Sequence, residues 1–88
     1  MKYTYRLDGQ TARYLRRLQP DQAARVLTVL RTLCEDPFDD SNSTALHGAM
    51  GNFRRARAGQ LRIIFRVERE LLLVFVTAIG PRGDVYKS

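Results

Sequence analysis

The 88 residues are enough for one domain with one modest core, and a hydrophobic content of 44% excludes a disordered tail. Fifteen Lys and Arg against nine Asp and Glu leave a formal net charge of +6. That balance calls for an anionic partner: nucleic acid, an acidic protein or a membrane surface.

The opening stretch KYTYRL alternates, with Tyr3, Tyr5 and Leu7 on one face and Lys2, Thr4 and Arg6 on the other. This pattern predicts a half-buried strand. The same stretch has no apolar h-region, so no secretory leader is expected. Asp8 is placed to cap a first helix, whose Ala12, Leu15 and Leu18 recur at helical spacing while Arg13, Arg16 and Arg17 point outward. Pro20 ends that helix and opens a second one at its first turn. There Ala23, Val26, Leu27, Leu30, Leu33 and Cys34 form one apolar stripe, and Pro37 stops it. The two helices are expected to form a hairpin. Cys34 is the single cysteine, so no internal disulfide can form; it reads as a small buried hydrophobe in a reducing cytoplasm.

FDDSNSTALHGAMGN is polar and rich in turn residues, which predicts a loop. It holds the single histidine, His47, read as a loop residue rather than a catalytic one. Asp36, Asp39 and Asp40 lack the remainder of a calcium-binding pattern, and Cys34 and His47 lack partners at metal-ligand spacing. No cofactor or metal is therefore expected. Beyond the loop the period changes from helical to two. FRRARA, LRIIFRV and LLLVFVTAI predict three strands, with GQ and ER at the turns. The last run is too short for a membrane-spanning helix. The predicted order is β-α-α-β-β-β: an α+β fold, residues 1–88 as a single domain, with a two-helix hairpin on one face of an antiparallel sheet.

Within residues 52–66, NFRRARAGQLRIIFR, stand Arg54, Arg55, Arg57, Arg62 and Arg66, with no acidic residue among them. A two-residue turn at Gly59 and Gln60 pairs Ala58 with Leu61, Arg57 with Arg62, Ala56 with Ile63 and Arg55 with Ile64. Alternation then turns Ala56, Ala58, Leu61, Ile63 and Phe65 toward the helices and Arg55, Arg57, Arg62 and Arg66 away from them. Like charges directly across a ladder destabilise it, and two guanidinium groups about 5 Å apart repel by roughly 1 kcal/mol in water. A solvated basic face explains scattered charges, but it explains poorly a cluster without interleaved acids. Arginine is also the side chain that grips phosphate bidentately, so the pattern favours an anion site. In the tail, GPRGDVYKS, Arg82 and Tyr86 can join such a site, Tyr86 by stacking on an unpaired base. Equally, Arg82 can pair with Asp84 and Tyr86 can pack as a terminal aromatic.

Together these stretches resemble toxins of the RelE/ParE superfamily of type II toxin–antitoxin systems. ALHGAMGNFRRARAGQLRIIFRV resembles the family's central basic block, and LLLVFVTAIGPRGDVYK its closing segment. Leu61 stands where members often carry Tyr, and Pro81 where many carry His or a basic residue. The resemblance to the RelE branch implies a cytoplasmic endoribonuclease that cleaves mRNA at the ribosome and is held inactive by a cognate antitoxin. It implies catalytic roles for Arg62, Arg82 and Tyr86, and RNA contacts from Arg55 and Arg57. Arg54 and Arg66 of the same basic stretch are grouped with these as RNA contacts. The ParE branch shares the scaffold and inhibits DNA gyrase instead, and an inactive antitoxin-binding module is a third possibility.

Overall fold

The computed structural model describes residues 2–48 and 51–81. The elements run β1 (Thr4–Leu7), α1 (Gly9–Arg17), α2 (Pro20–Glu35), β2 (Thr44–Ala45), β3 (Phe53–Ala58), β4 (Leu61–Glu68) and β5 (Leu73–Pro81). The α1 start follows from Asp8, whose carboxylate accepts a hydrogen bond from the Thr11 backbone N–H at 2.7 Å. This satisfies one of the otherwise unpaired donors of the first turn. Pro20 occupies the first turn of α2, where its missing N–H costs nothing.

The strands form one sheet in the order β1-β5-β4-β3-β2. The β3–β4 register is the one expected: Ala58 faces Leu61, Arg57 faces Arg62, Ala56 faces Ile63 and Arg55 faces Ile64. Gly59 supports the turn with a φ of +64°, which a side chain would strain.

Three features depart from the expected sheet. First, β1 pairs with β5 in parallel, Thr4 opposite Leu73 and Leu7 opposite Val76, so the sheet is mixed rather than wholly antiparallel. A parallel pair needs a long crossover, and here both helices and the strand meander supply it. Second, Thr44–Ala45 adds a short edge strand, opposite Arg55 and Arg54, inside the stretch expected to be only a loop. Third, Glu68 pairs with Leu73, so the β4–β5 turn spans Arg69–Leu72 rather than two residues.

A bulge completes the sheet. Ile64 faces Ala78 and Phe65 faces Val76, which leaves Thr77 as an extra residue on β5. The extra residue switches the alternation of β5. Val74, Val76 and Ile79 all reach the helix side, although strict alternation from Val76 selects Ala78. The core lies there: Val26, Leu30, Leu33 and Cys34 of α2 meet Ile63, Phe65, Val74 and Val76, with Tyr14 and Leu15 of α1 and Leu18 just beyond it packed alongside. Each such large side chain contributes about 1.5–3 kcal/mol when buried. Among the described residues, no helix is long and apolar enough to cross a membrane.

Candidate functional site

With the helices covering one side, the register assigns Arg6, Phe53, Arg55, Arg57, Arg62, Arg66 and Phe75 to the other. Arg57 and Arg62 stand directly across from one another. Gly80 is the β5 partner of Arg62, so no side chain of β5 crowds it from that strand. Among the described residues, neither arginine has a hydrogen-bond or ion-pair partner. Both line a hollow of about 650 Å³ together with Tyr14, Leu18, Gln22 and Pro81. The chain leaves the described sheet at Pro81, opposite Leu61, and this is the end of the sheet that carries the hollow.

The remaining arginines have different settings. Arg55 faces Ile64 and Thr44 and, with Arg57, lines a second hollow of about 380 Å³ beside the Asp40–Thr44 loop. Arg66 hydrogen-bonds through Nε to Glu68 at 2.7 Å and lies over the Phe75 ring at 4.7 Å. Arg54 does not join this group. It lies opposite Phe65, on the helix side, with only 12% of its side chain exposed. Its Nη2 donates to Asp40 at 2.8 Å and to the Ser43 carbonyl at 3.1 Å, while its Nε donates to the Ser43 hydroxyl at 2.7 Å. Ser43 in turn donates to the Pro37 carbonyl. Arg54 thus fastens the post-α2 loop to β3 and lies apart from the exposed arginines. That loop is fixed again by Asp39, whose carboxylate accepts from the Ser41 hydroxyl and backbone N–H and is held below the usual carboxylate range by them.

Arg82 and Tyr86 lie outside the described residues. Tyr14 is a functional candidate that the sequence reading passed over. It sits one residue before Leu15 on α1, and its only signal was an aromatic beside the apolar stripe. His47 is exposed. Among the described residues, no group of three His, Cys, Asp or Glu side chains could hold a metal ion.

The model of the ParE toxin of the parDE type II toxin–antitoxin system matches residues 6–86. The chain belongs to this family. The toxin's fold is similar to that in the RelBE2 toxin–antitoxin complex from Mycobacterium tuberculosis, at 24% identity and a TM-score of 0.81 over 93% of this chain and 100% of that one. It is similar to the archaeal RelE–RelB complex from Pyrococcus horikoshii OT3 at 25% identity and a TM-score of 0.78, over 94% and 98% of the two chains. It is also similar to the isolated E. coli RelE toxin at 24% identity and a TM-score of 0.78, over 96% and 90%. No curated protein matches the chain. The toxin is therefore a RelE/ParE-superfamily member of the type II toxin–antitoxin class, with a RelE-like α+β fold.

Proposed function

We propose that this toxin is an endoribonuclease that cleaves mRNA at the ribosome. One observation carries the reading: Arg57 and Arg62 form a like-charged pair, without an acidic partner among the described residues, beside a hollow at the end of the sheet. A fold of this size is stable by only about 4–13 kcal/mol, so a repulsive pair calls for a compensating use. A phosphate between two guanidinium groups removes the repulsion and accepts hydrogen bonds from both.

RNA supplies its own nucleophile. The 2′-oxygen attacks the adjacent phosphorus, its proton passes to a base, and the 5′-oxygen leaves and takes up a proton. The products are a 2′,3′-cyclic phosphate and a 5′-hydroxyl. Arg62, with Arg82 one residue beyond Pro81, stabilises the charge that builds on the phosphoryl oxygens. Arg55 and Arg57 hold the neighbouring backbone. Tyr86 stacks on a base or accepts the 2′-hydroxyl proton. A cognate antitoxin with an acidic or amphipathic segment covers the basic face, a reading supported by the toxin–antitoxin complexes among the similar structures.

A second reading has its own support. The matching family model is that of ParE toxins, and the resemblance to that branch implies inhibition of DNA gyrase. The two readings separate in one pair of assays. Primer extension on mRNA from translating ribosomes is expected to reveal toxin-dependent cuts, lost in Arg62→Ala and Arg82→Ala. A gyrase supercoiling assay is expected to be unaffected. Inhibited supercoiling with intact mRNA overturns the ribonuclease reading.

A further inference from the structure

Arg66 is built differently from Arg57 and Arg62, although all three share one face of the sheet. Its guanidinium carbon lies 4.7 Å from the centre of the Phe75 ring, and its Nε is tied to Glu68 at 2.7 Å. The Glu68 carboxylate cancels most of its charge locally, and the two contacts fix its plane. The side chain nonetheless stays 40% exposed. Phe53 is its direct partner on β3, and Arg6 of β1 lies beyond Phe75, so the row reads Arg6, Phe75, Arg66, Phe53 across four strands. Arg66 also lines a hollow of about 550 Å³ with Phe38, Asn52, Phe53, Glu68 and Arg69, in which the Arg69 guanidinium lies 4.1 Å from the Phe38 ring centre. This hollow is distinct from the one beside Arg57 and Arg62.

A neutralised, immobilised guanidinium plane among aromatic rings is a poor phosphate clamp and a good stacking surface. Bases of single-stranded RNA stack on aromatic rings and on arginine planes laid across a sheet. We infer that the hollow beside Arg66 holds an unpaired base of the RNA strand whose phosphate meets Arg57 and Arg62. Arg66 stands four residues along β4 from Arg62, about 13 Å away at the usual strand rise, a span that a few nucleotides of single strand cover. The positive surroundings draw the strand in, and the Arg66–Glu68 pair takes a base rather than a phosphate. This inference rests on the ribonuclease reading for the identity of the strand.

The test is binding of a fluorescently labelled 2′-O-methyl RNA oligomer, which cannot be cleaved, measured by anisotropy over a range of salt concentrations. Arg66→Ala and Arg66→Lys are each expected to weaken binding by about tenfold, because stacking is lost in both. In Arg66→Lys, which keeps a positive charge opposite Glu68, the salt dependence should stay that of wild type. Phe75→Leu, which keeps the strand apolar, should weaken binding in the same manner. Arg57→Ala should instead reduce the salt slope by about 0.7, the amount for one phosphate contact on a single strand. Thermal melts confirm that each variant is folded. Wild-type affinity in Arg66→Lys overturns the inference, because charge alone then suffices. So does absence of saturable binding by wild type. So does an oligoglutamate peptide whose binding is lost in Arg66→Ala while RNA binding is kept, a result that assigns the hollow to an acidic protein segment. Ribosomal mRNA cleavage is scored in parallel. Intact mRNA with Arg66-dependent oligomer binding removes the ribonuclease reading and leaves the base site standing; cleaved mRNA with Arg66-independent binding does the reverse.

Discussion

Arg57 stands directly opposite Arg62 across the β3–β4 ladder, and neither has an ion-pair or hydrogen-bond partner among the described residues. The arrangement works against the fold and in favour of an anion. Replacing Arg57 with Thr, a good strand former, should raise stability by about 0.5 kcal/mol and should abolish growth inhibition. The gain should shrink as salt is added, because screening already weakens the repulsion. Urea denaturation at low and high ionic strength, beside an inducible growth assay, measures both halves.

Arg54 behaves in the opposite way. Its removal leaves the buried Ser43 hydroxyl without its donor and frees the post-α2 loop. Arg54→Ala should therefore destabilise the fold by about 2 kcal/mol. Arg54→Lys should recover only part of this, since one ammonium group cannot reach Asp40 and both Ser43 oxygens in the same geometry. Thermal unfolding of the two variants decides the matter.

Leu72 closes the β4–β5 turn with a φ of +50°, a conformation that costs a non-glycine residue about 1–2 kcal/mol. Its side chain is also 42% exposed, beside Leu71 at 70%. Asn tolerates this backbone region better and does not expose apolar surface. Leu72→Asn should stabilise the protein by about 0.5–1 kcal/mol, a rise in Tm of roughly 3–6 °C for a domain of this size. Calorimetry measures the shift directly.

Burial pushes the Cys34 thiol above its ordinary value near 9.0, and neighbouring Glu35 adds to the rise. Above the unfolded value the unfolded thiol ionises while the folded one still holds its proton, so rising pH favours the unfolded state. The contribution is therefore fully present below about pH 9 and is lost as pH climbs through the folded value. Cys34→Ala should flatten this part of the alkaline stability profile. In the native protein at pH 8 the thiol should resist a disulfide-exchange reagent until the chain unfolds.

The local patterns of the sequence determined a good deal. Asp8 and Pro20 mark the helix starts, and the Gly59–Gln60 turn sets the β3–β4 register. Side-chain alternation about that turn separates Ala56, Ala58, Leu61, Ile63 and Phe65 from Arg55, Arg57 and Arg62. These all depend on neighbours within a few residues, which periodicity and turn chemistry report. Other features were decided only by contacts between distant segments. The parallel pairing of β1 with β5 has no connecting turn to announce it. The Thr77 bulge exists because Ile79, and not Ala78, fills the core beneath the helices. Arg54 carries the same charge as its neighbours, but the loop at Asp40 and Ser43 captures it. Tyr14 reaches the Arg57–Arg62 hollow only because α1 packs over that end of the sheet. Charge and period show which residue types are present and which side they face; what meets them across space depends on the packing of the whole chain.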